Sequence, residues 1–163
     1  MNILILSAST GGGHMRASKA IEGYMTQQNK DINVKIVDSL LYISPILNKT
    51  ITSGYVYLAT KTPKLYGKLY DLTNKEHRLA NFVTRLNNIF ANKLLPLIDD
   101  FRPDVIITTH PFPTEMVSRL KSKGEINIPL ICIMTDYAPH KAWINKKVDA
   151  YIVANDDMVG KMI

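Results

Sequence analysis

Ile3-Leu4-Ile5-Leu6-Ser7-Ala8-Ser9-Thr10-Gly11-Gly12-Gly13-His14-Met15-Arg16-Ala17-Ser18-Lys19-Ala20-Ile21 passes from a short apolar run through three successive glycines into the start of a helix. Three glycines clear side chains from a strand-to-helix turn, so backbone amides can approach a substrate oxygen or phosphate at the positive end of the helix. A titratable imidazole stands at the same place. A turn that needed only one positive φ would require one glycine and no histidine, so the pairing points to chemistry. The plain alternative, a tight βα turn packed on its own helix with a solvated ring at His14, stays open on the residues alone.

Two familiar phosphate-binding patterns fail on spacing. The dinucleotide fingerprint G-x-G-x-x-G needs a third glycine where Arg16 stands, and the P-loop needs a Gly-Lys-Ser/Thr triplet that the stretch lacks. Asp38 closes the second apolar run and could meet a ribose, but the glycine pattern is the stronger test and it is not met.

Further strand-like runs stand at Val34–Val37, Val105–Thr109, Leu130–Met134 and Tyr151–Val153, after the first at Ile3–Ser7. Each is short, rich in Ile and Val, and nearly continuous, as expected of parallel strands covered on both faces. Helical segments separate them: Ala17 to Gln28, and Glu115 to Lys123, stopped by Gly124. The alternation predicts an α/β fold, a Rossmann-like doubly wound parallel sheet whose ligands bind at the carboxyl ends of the strands.

The length of 163 residues and the apolar share of 46% suit one domain with a sizeable core. The single cysteine, Cys132, lies inside Pro129-Leu130-Ile131-Cys132-Ile133-Met134 and reads as a buried strand thiol; no intrachain disulfide is possible, which fits a reducing, cytoplasmic setting. The first apolar run is too short for a signal peptide, and no stretch approaches the roughly 20 apolar residues of a membrane span. The expectation is a protein in solution or bound to a membrane surface.

Between the second and third strands lies an insertion of roughly 60 residues, far longer than an ordinary crossover. It must carry structure of its own, and Ile46 to Thr60 and Glu76 to Phe101 show apolar residues at helical spacing. The net charge of +6 is concentrated here: from Leu40 to Ile98 eight basic residues stand against Asp71 and Glu76 alone. Five of the eight tyrosines are in the same stretch. Basic residues interleaved with rings suit an interfacial amphipathic helix on anionic lipid, whereas a helical layer with a solvated basic face is the bland reading. Single-stranded nucleic acid ranks behind both, because no motif specifies a stacking platform.

Polar clusters follow the predicted strands: His110-Pro111-Phe112-Pro113, then Thr135-Asp136-Tyr137-Ala138-Pro139-His140, with Trp143 close behind. In a parallel sheet these loops open on the same edge as Gly11–Gly13, so His14, His110, Asp136 and His140 can converge in one cleft. A carboxylate beside an imidazole orients its tautomer and prepares it as a base for a hydroxyl nucleophile. Metal binding lacks any His-x-x-x-His or Cys-His spacing, and serine catalysis lacks the G-x-S-x-G elbow. For His110 a structural loop role stands equal to a catalytic one.

Ser9-Thr10-Gly11-Gly12-Gly13-His14, Pro103-Asp104-Val105-Ile106-Ile107-Thr108-Thr109-His110-Pro111-Phe112 and Thr135-Asp136-Tyr137-Ala138-Pro139-His140-Lys141-Ala142-Trp143 together resemble the N-terminal domain of the monogalactosyldiacylglycerol synthase and processive diacylglycerol glucosyltransferase family. These are GT-B glycosyltransferases, more distantly similar to the peptidoglycan enzyme that adds N-acetylglucosamine to lipid I. The resemblance covers nearly the whole chain, with three motifs in the family's order.

It implies glycolipid synthesis: inverting transfer of a hexose from a UDP-sugar to diacylglycerol at the inner face of a membrane, with no metal or cofactor held by this half. Residues 1–163 would be the acceptor- and membrane-binding half of a GT-B fold, with a basic helical insertion over about 40–101. His14 would be the base and Asp136 its candidate partner, while Gly11, Gly12, Gly13, His110, His140 and Trp143 would line the cleft for acceptor and donor phosphates. Lys61, Lys64, Tyr66, Lys68, Tyr70, Arg78 and Arg85 become candidate membrane contacts, a reading the resemblance strengthens more than the periodicity does. Donor-binding residues would lie in a C-terminal domain beyond this chain, which ends within a helix begun at Met158. On its own the chain is then expected to lack transferase activity. Against this stands a nucleotide- or anion-binding Rossmann-like module without catalysis, or a protein whose basic insertion docks on a partner.

Overall fold

The computed structural model describes residues 1–10, 12–45, 88–136 and 141–161. Five strands, β1 (Asn2–Ser7), β2 (Asn33–Asp38), β3 (Val105–Thr108), β4 (Leu130–Ile133) and β5 (Ala150–Ile152), form one sheet. Their order is β2-β1-β3-β4-β5, and every adjacent pair is parallel. This is the Rossmann-like α/β sheet that the apolar runs predict, consistent with the N-terminal half of a GT-B fold.

The packing explains why those runs are continuous. Ile3 and Ile5 share one face with Val105 and Ile107, where Ile21 and Met25 of α1 (Gly13–Gln28) cover them. Leu4, Leu6 and Ile106 take the opposite face, against Leu97 and Ile98 of α3 (Leu95–Phe101) and Met116, Val117 and Leu120 of α4 (Pro111–Ser122). Because both of their faces are covered, both parities of the central strands β1 and β3 must be apolar. A buried Leu or Ile contributes about 1.5–3 kcal/mol in such a layer. Cys132, Met134, Trp143 and Met158 form a further cluster beneath β4 and β5, and Cys132 is the buried free thiol expected.

Helix boundaries depart from the sequence expectation in four places, each for a local reason. α1 begins at Gly13 rather than Ala17, because Gly12 at φ 78° turns the chain directly into the helix. α4 begins at Pro111, four residues before Glu115: the first helical turn has no internal use for its N–H groups, so prolines are accommodated there. The helix expected through Phe101 is interrupted, since residues 88–92 are helical, 93 and 94 form a turn, and α3 restarts with Pro96 in its first turn. Asp156–Lys161 is a 3-10 helix rather than the start of an α-helix, with Asn155 Oδ1 accepting the Met158 N–H at 3.2 Å. Gly124, at φ 75°, follows α4 as a glycine stop should. The segments Ile46 to Thr60 and Glu76 to 87 lie outside the described residues.

Candidate functional site

From β1 the chain runs to β2 on one side, then crosses back to β3 on β1's other side. The connections after β1 and β3 therefore diverge, and such a switch point opens a crevice at the carboxyl ends of the strands. Thr10 to His14 follow β1, Thr109 and His110 follow β3, and Thr135 and Asp136 follow β4.

His14 stands in the first turn of α1, half-buried. Its Nδ1 lies 2.8 Å from the Thr109 carbonyl oxygen and 2.7 Å from Thr135 Oγ1. A carbonyl oxygen can only accept, so Nδ1 carries the proton of the neutral ring and Nε2 keeps its lone pair. Thr109 grips the same residue twice, since its Oγ1 also reaches the His14 carbonyl oxygen at 3.2 Å. Ser18, one helical turn on and fully buried, donates to that oxygen at 3.0 Å and lies 2.9 Å from Thr109 Oγ1. Ser7 at the end of β1 accepts from Thr109 Oγ1 at 2.8 Å. Four hydroxyl-bearing residues thus lock the first turn of α1 onto the ends of β1 and β3.

His110 packs edge-on against His14, with ring centroids 4.5 Å apart at 78°. It is the N-cap of α4: its Nδ1 accepts the Phe112 N–H at 3.1 Å, which leaves the proton on Nε2 to be donated to Thr10 Oγ1 at 2.8 Å. Burial, and secondarily the nearby His14, push its pKa down to about 3, so the ring is neutral at physiological pH. Of the two roles left open for His110, the structural one is visible: it caps a helix and orients Thr10.

Asp136 is exposed, and its Oδ2 accepts the Trp143 indole N–H at 2.7 Å. Trp143 is fully buried, with its ring centroid 6.2 Å from that of His14, so it backs the site. The hydrogen bonds on His14 Nδ1 come from a carbonyl and a hydroxyl, while the carboxylate steadies the wall behind. Asp38 is committed to the fold, accepting Ser9 N–H and Leu41 N–H at 3.1 Å each and capping α2 (Ser39–Ile43).

Gly12 requires a glycine because of its positive φ. Gly13 has no positive φ, and no atom of the described residues lies within 4 Å of an added Cβ, so their packing does not demand glycine there. Among the described residues no side chain caps the N-terminus of α1. Gly11 and His140 lie outside the described residues, as do Lys61, Lys64, Tyr66, Lys68, Tyr70, Arg78 and Arg85. Among the described residues no three His, Cys, Asp or Glu side chains gather as a metal site, and no helix is long and apolar enough to cross a membrane. Thr10, Ser18, Thr109 and Thr135 were not singled out from the sequence. Only Ser18 carried a usable signal, four residues after His14 on the same helical face.

The family profile described as Monogalactosyldiacylglycerol (MGDG) synthase matches residues 14–163. The chain belongs to this family. It is 33% identical over 165 residues to proteins named processive diacylglycerol beta-glucosyltransferase from Bacillus thuringiensis (strain Al Hakam), Bacillus cereus (strain B4264) and Bacillus anthracis (strain A0248). Each alignment covers 99% of this chain but 40% of the relative, so the chain spans about two fifths of the length of these curated relatives. Within the family match fall His14, Thr109, His110 and Thr135, which meet at the crevice, and Asp136 beside Trp143.

Proposed function

We propose that the full-length protein makes glycolipid by transferring a hexose from a UDP-sugar to the free hydroxyl of diacylglycerol, with this chain as the acceptor- and membrane-binding half and no metal or cofactor required of it. The observation that carries the reading is the hold on His14 at the switch point: Nδ1 faces the Thr109 carbonyl, leaving Nε2 as the basic nitrogen. In the transfer, Nε2 takes the acceptor's hydroxyl proton while that oxygen bonds to the anomeric carbon, and the bond from that carbon to UDP breaks with inversion. Among the described residues no side chain caps the start of α1 and no atom crowds Gly13, which suits anionic oxygens. Donor binding would fall largely to sequence outside this chain.

The basic insertion, including Lys61, Lys64, Lys68, Arg78 and Arg85 beside Tyr66 and Tyr70, would meet anionic lipid on the cytoplasmic leaflet, whose negative potential attracts such segments. The test is incubation of the full-length protein with diacylglycerol in anionic vesicles and either UDP-glucose or UDP-galactose. A hexosyl-diacylglycerol is the expected product, and the donor that yields it settles the sugar. Nucleotide binding with no product from either donor would instead favour a binding module. Vesicle flotation that weakens from low to high salt is expected for the surface contact.

A further inference from the structure

Thr135 lies just beyond β4 and is half-buried. Its Oγ1 is 2.7 Å from His14 Nδ1 and 3.3 Å from the Thr109 carbonyl oxygen. The ends of β3 and β4 and the first turn of α1 therefore meet around one ring nitrogen. With Nδ1 bare, its lone pair would face the carbonyl's at 2.8 Å, and the single Thr135 hydroxyl proton could relieve only one of them. With Nδ1 protonated, the N–H is shared between the carbonyl and Thr135 Oγ1, and the threonine's own proton points to the carbonyl. Every proton then has an acceptor. The neighbouring carboxylate, Asp136, is taken by Trp143, so this hold on the ring is neutral.

We infer that Thr135 is a positioning residue for His14: its hydroxyl and the Thr109 carbonyl together fix the Nδ1–H tautomer, so that Nε2 is the nitrogen open to a proton. The inference rests on the reading of His14 as the base. A neutral hold orients the ring without placing a charge against it, and so without that charge's desolvation cost.

The test is Thr135→Val, which removes the hydroxyl at nearly constant shape, with Thr135→Ser as the variant that keeps it. Nitrogen-15 spectra of histidine-labelled full-length protein, with the His14 signal assigned by its loss in His14→Gln, should show a protonated Nδ1 and a bare Nε2. In Thr135→Val the minor tautomer should grow about fivefold, the value of one ordinary hydrogen bond. The kcat of hexose transfer should fall by a similar factor with KM for both substrates within twofold, and Thr135→Ser should recover both readouts. An unchanged tautomer ratio in Thr135→Val overturns the proposal, whatever the rate. Transfer that survives His14→Gln overturns the base reading instead, and the spectra still decide the role of Thr135.

Discussion

Acid should unfold this protein partly through His110. Folding buries the ring and, secondarily, sets it beside His14, which lowers its pKa from 6.5 to about 3. The unfolded chain binds a proton below about pH 6.5 that the folded chain refuses until about pH 3. Stability from this residue is therefore fully present above pH 6.5 and lost as pH falls through that window, at a limiting slope of about 1.4 kcal/mol per pH unit. The loss reaches about 2 kcal/mol at pH 5 and about 3 kcal/mol at pH 4. Carboxylates titrate in the lower part of the same range, so the comparison must be with His110→Asn, which retains a capping side chain and cannot titrate. Urea unfolding of both proteins at pH 7, 6, 5 and 4 gives the difference directly. The wild type should lose about 2 kcal/mol relative to His110→Asn between pH 7 and pH 5. Parallel stability curves would refute the reasoning, since they would mean that the ring titrates alike in the folded and unfolded chain.

The two described glycines of the turn should separate cleanly. Gly12→Ala forces a left-handed backbone on a residue with a Cβ and should cost about 1–2 kcal/mol in thermal or urea unfolding. Gly13→Ala should change stability by less than about 0.5 kcal/mol, because no described residue crowds the new methyl, yet it should lower transfer by the full-length protein if the space serves a ligand. Cys132 should resist iodoacetamide in the native protein and react only in denaturant, because its thiol is fully buried and burial raises its pKa. Native labelling at the unfolded rate would show that the cluster beneath β4 and β5 is open.

The sheet was legible in the sequence because strands covered on both faces leave unbroken Ile, Val and Leu runs, as Ile3 to Leu6 and Val105 to Ile107 do. The meeting of His14 with His110 was legible for a related reason: parallel strands bring successive carboxyl-end loops to one edge. The groups that hold His14 were not. A backbone carbonyl such as that of Thr109 has no sequence signature, and Thr109 and Thr135 read as ordinary β-branched residues at strand ends. The expectation of a carboxylate beside the imidazole followed from the loops after β1 and β4 opening on the same sheet edge, whereas Asp136 Oδ2 accepts the Trp143 indole N–H. Pro111 and Pro113 read as loop because proline breaks helices in their interior, but at the first turn it does not. His110 in the cap position ahead of Pro111 was the available clue.

The proposed role of His14 as the base of hexose transfer to diacylglycerol is tested most directly by the initial transfer rate of full-length His14→Ala against wild type at saturating donor and acceptor. Loss of a positioned general base predicts a fall in kcat of about 10²–10⁴-fold, with UDP-sugar binding by calorimetry unchanged. A rate within a few-fold of wild type, with the protein folded, would contradict it.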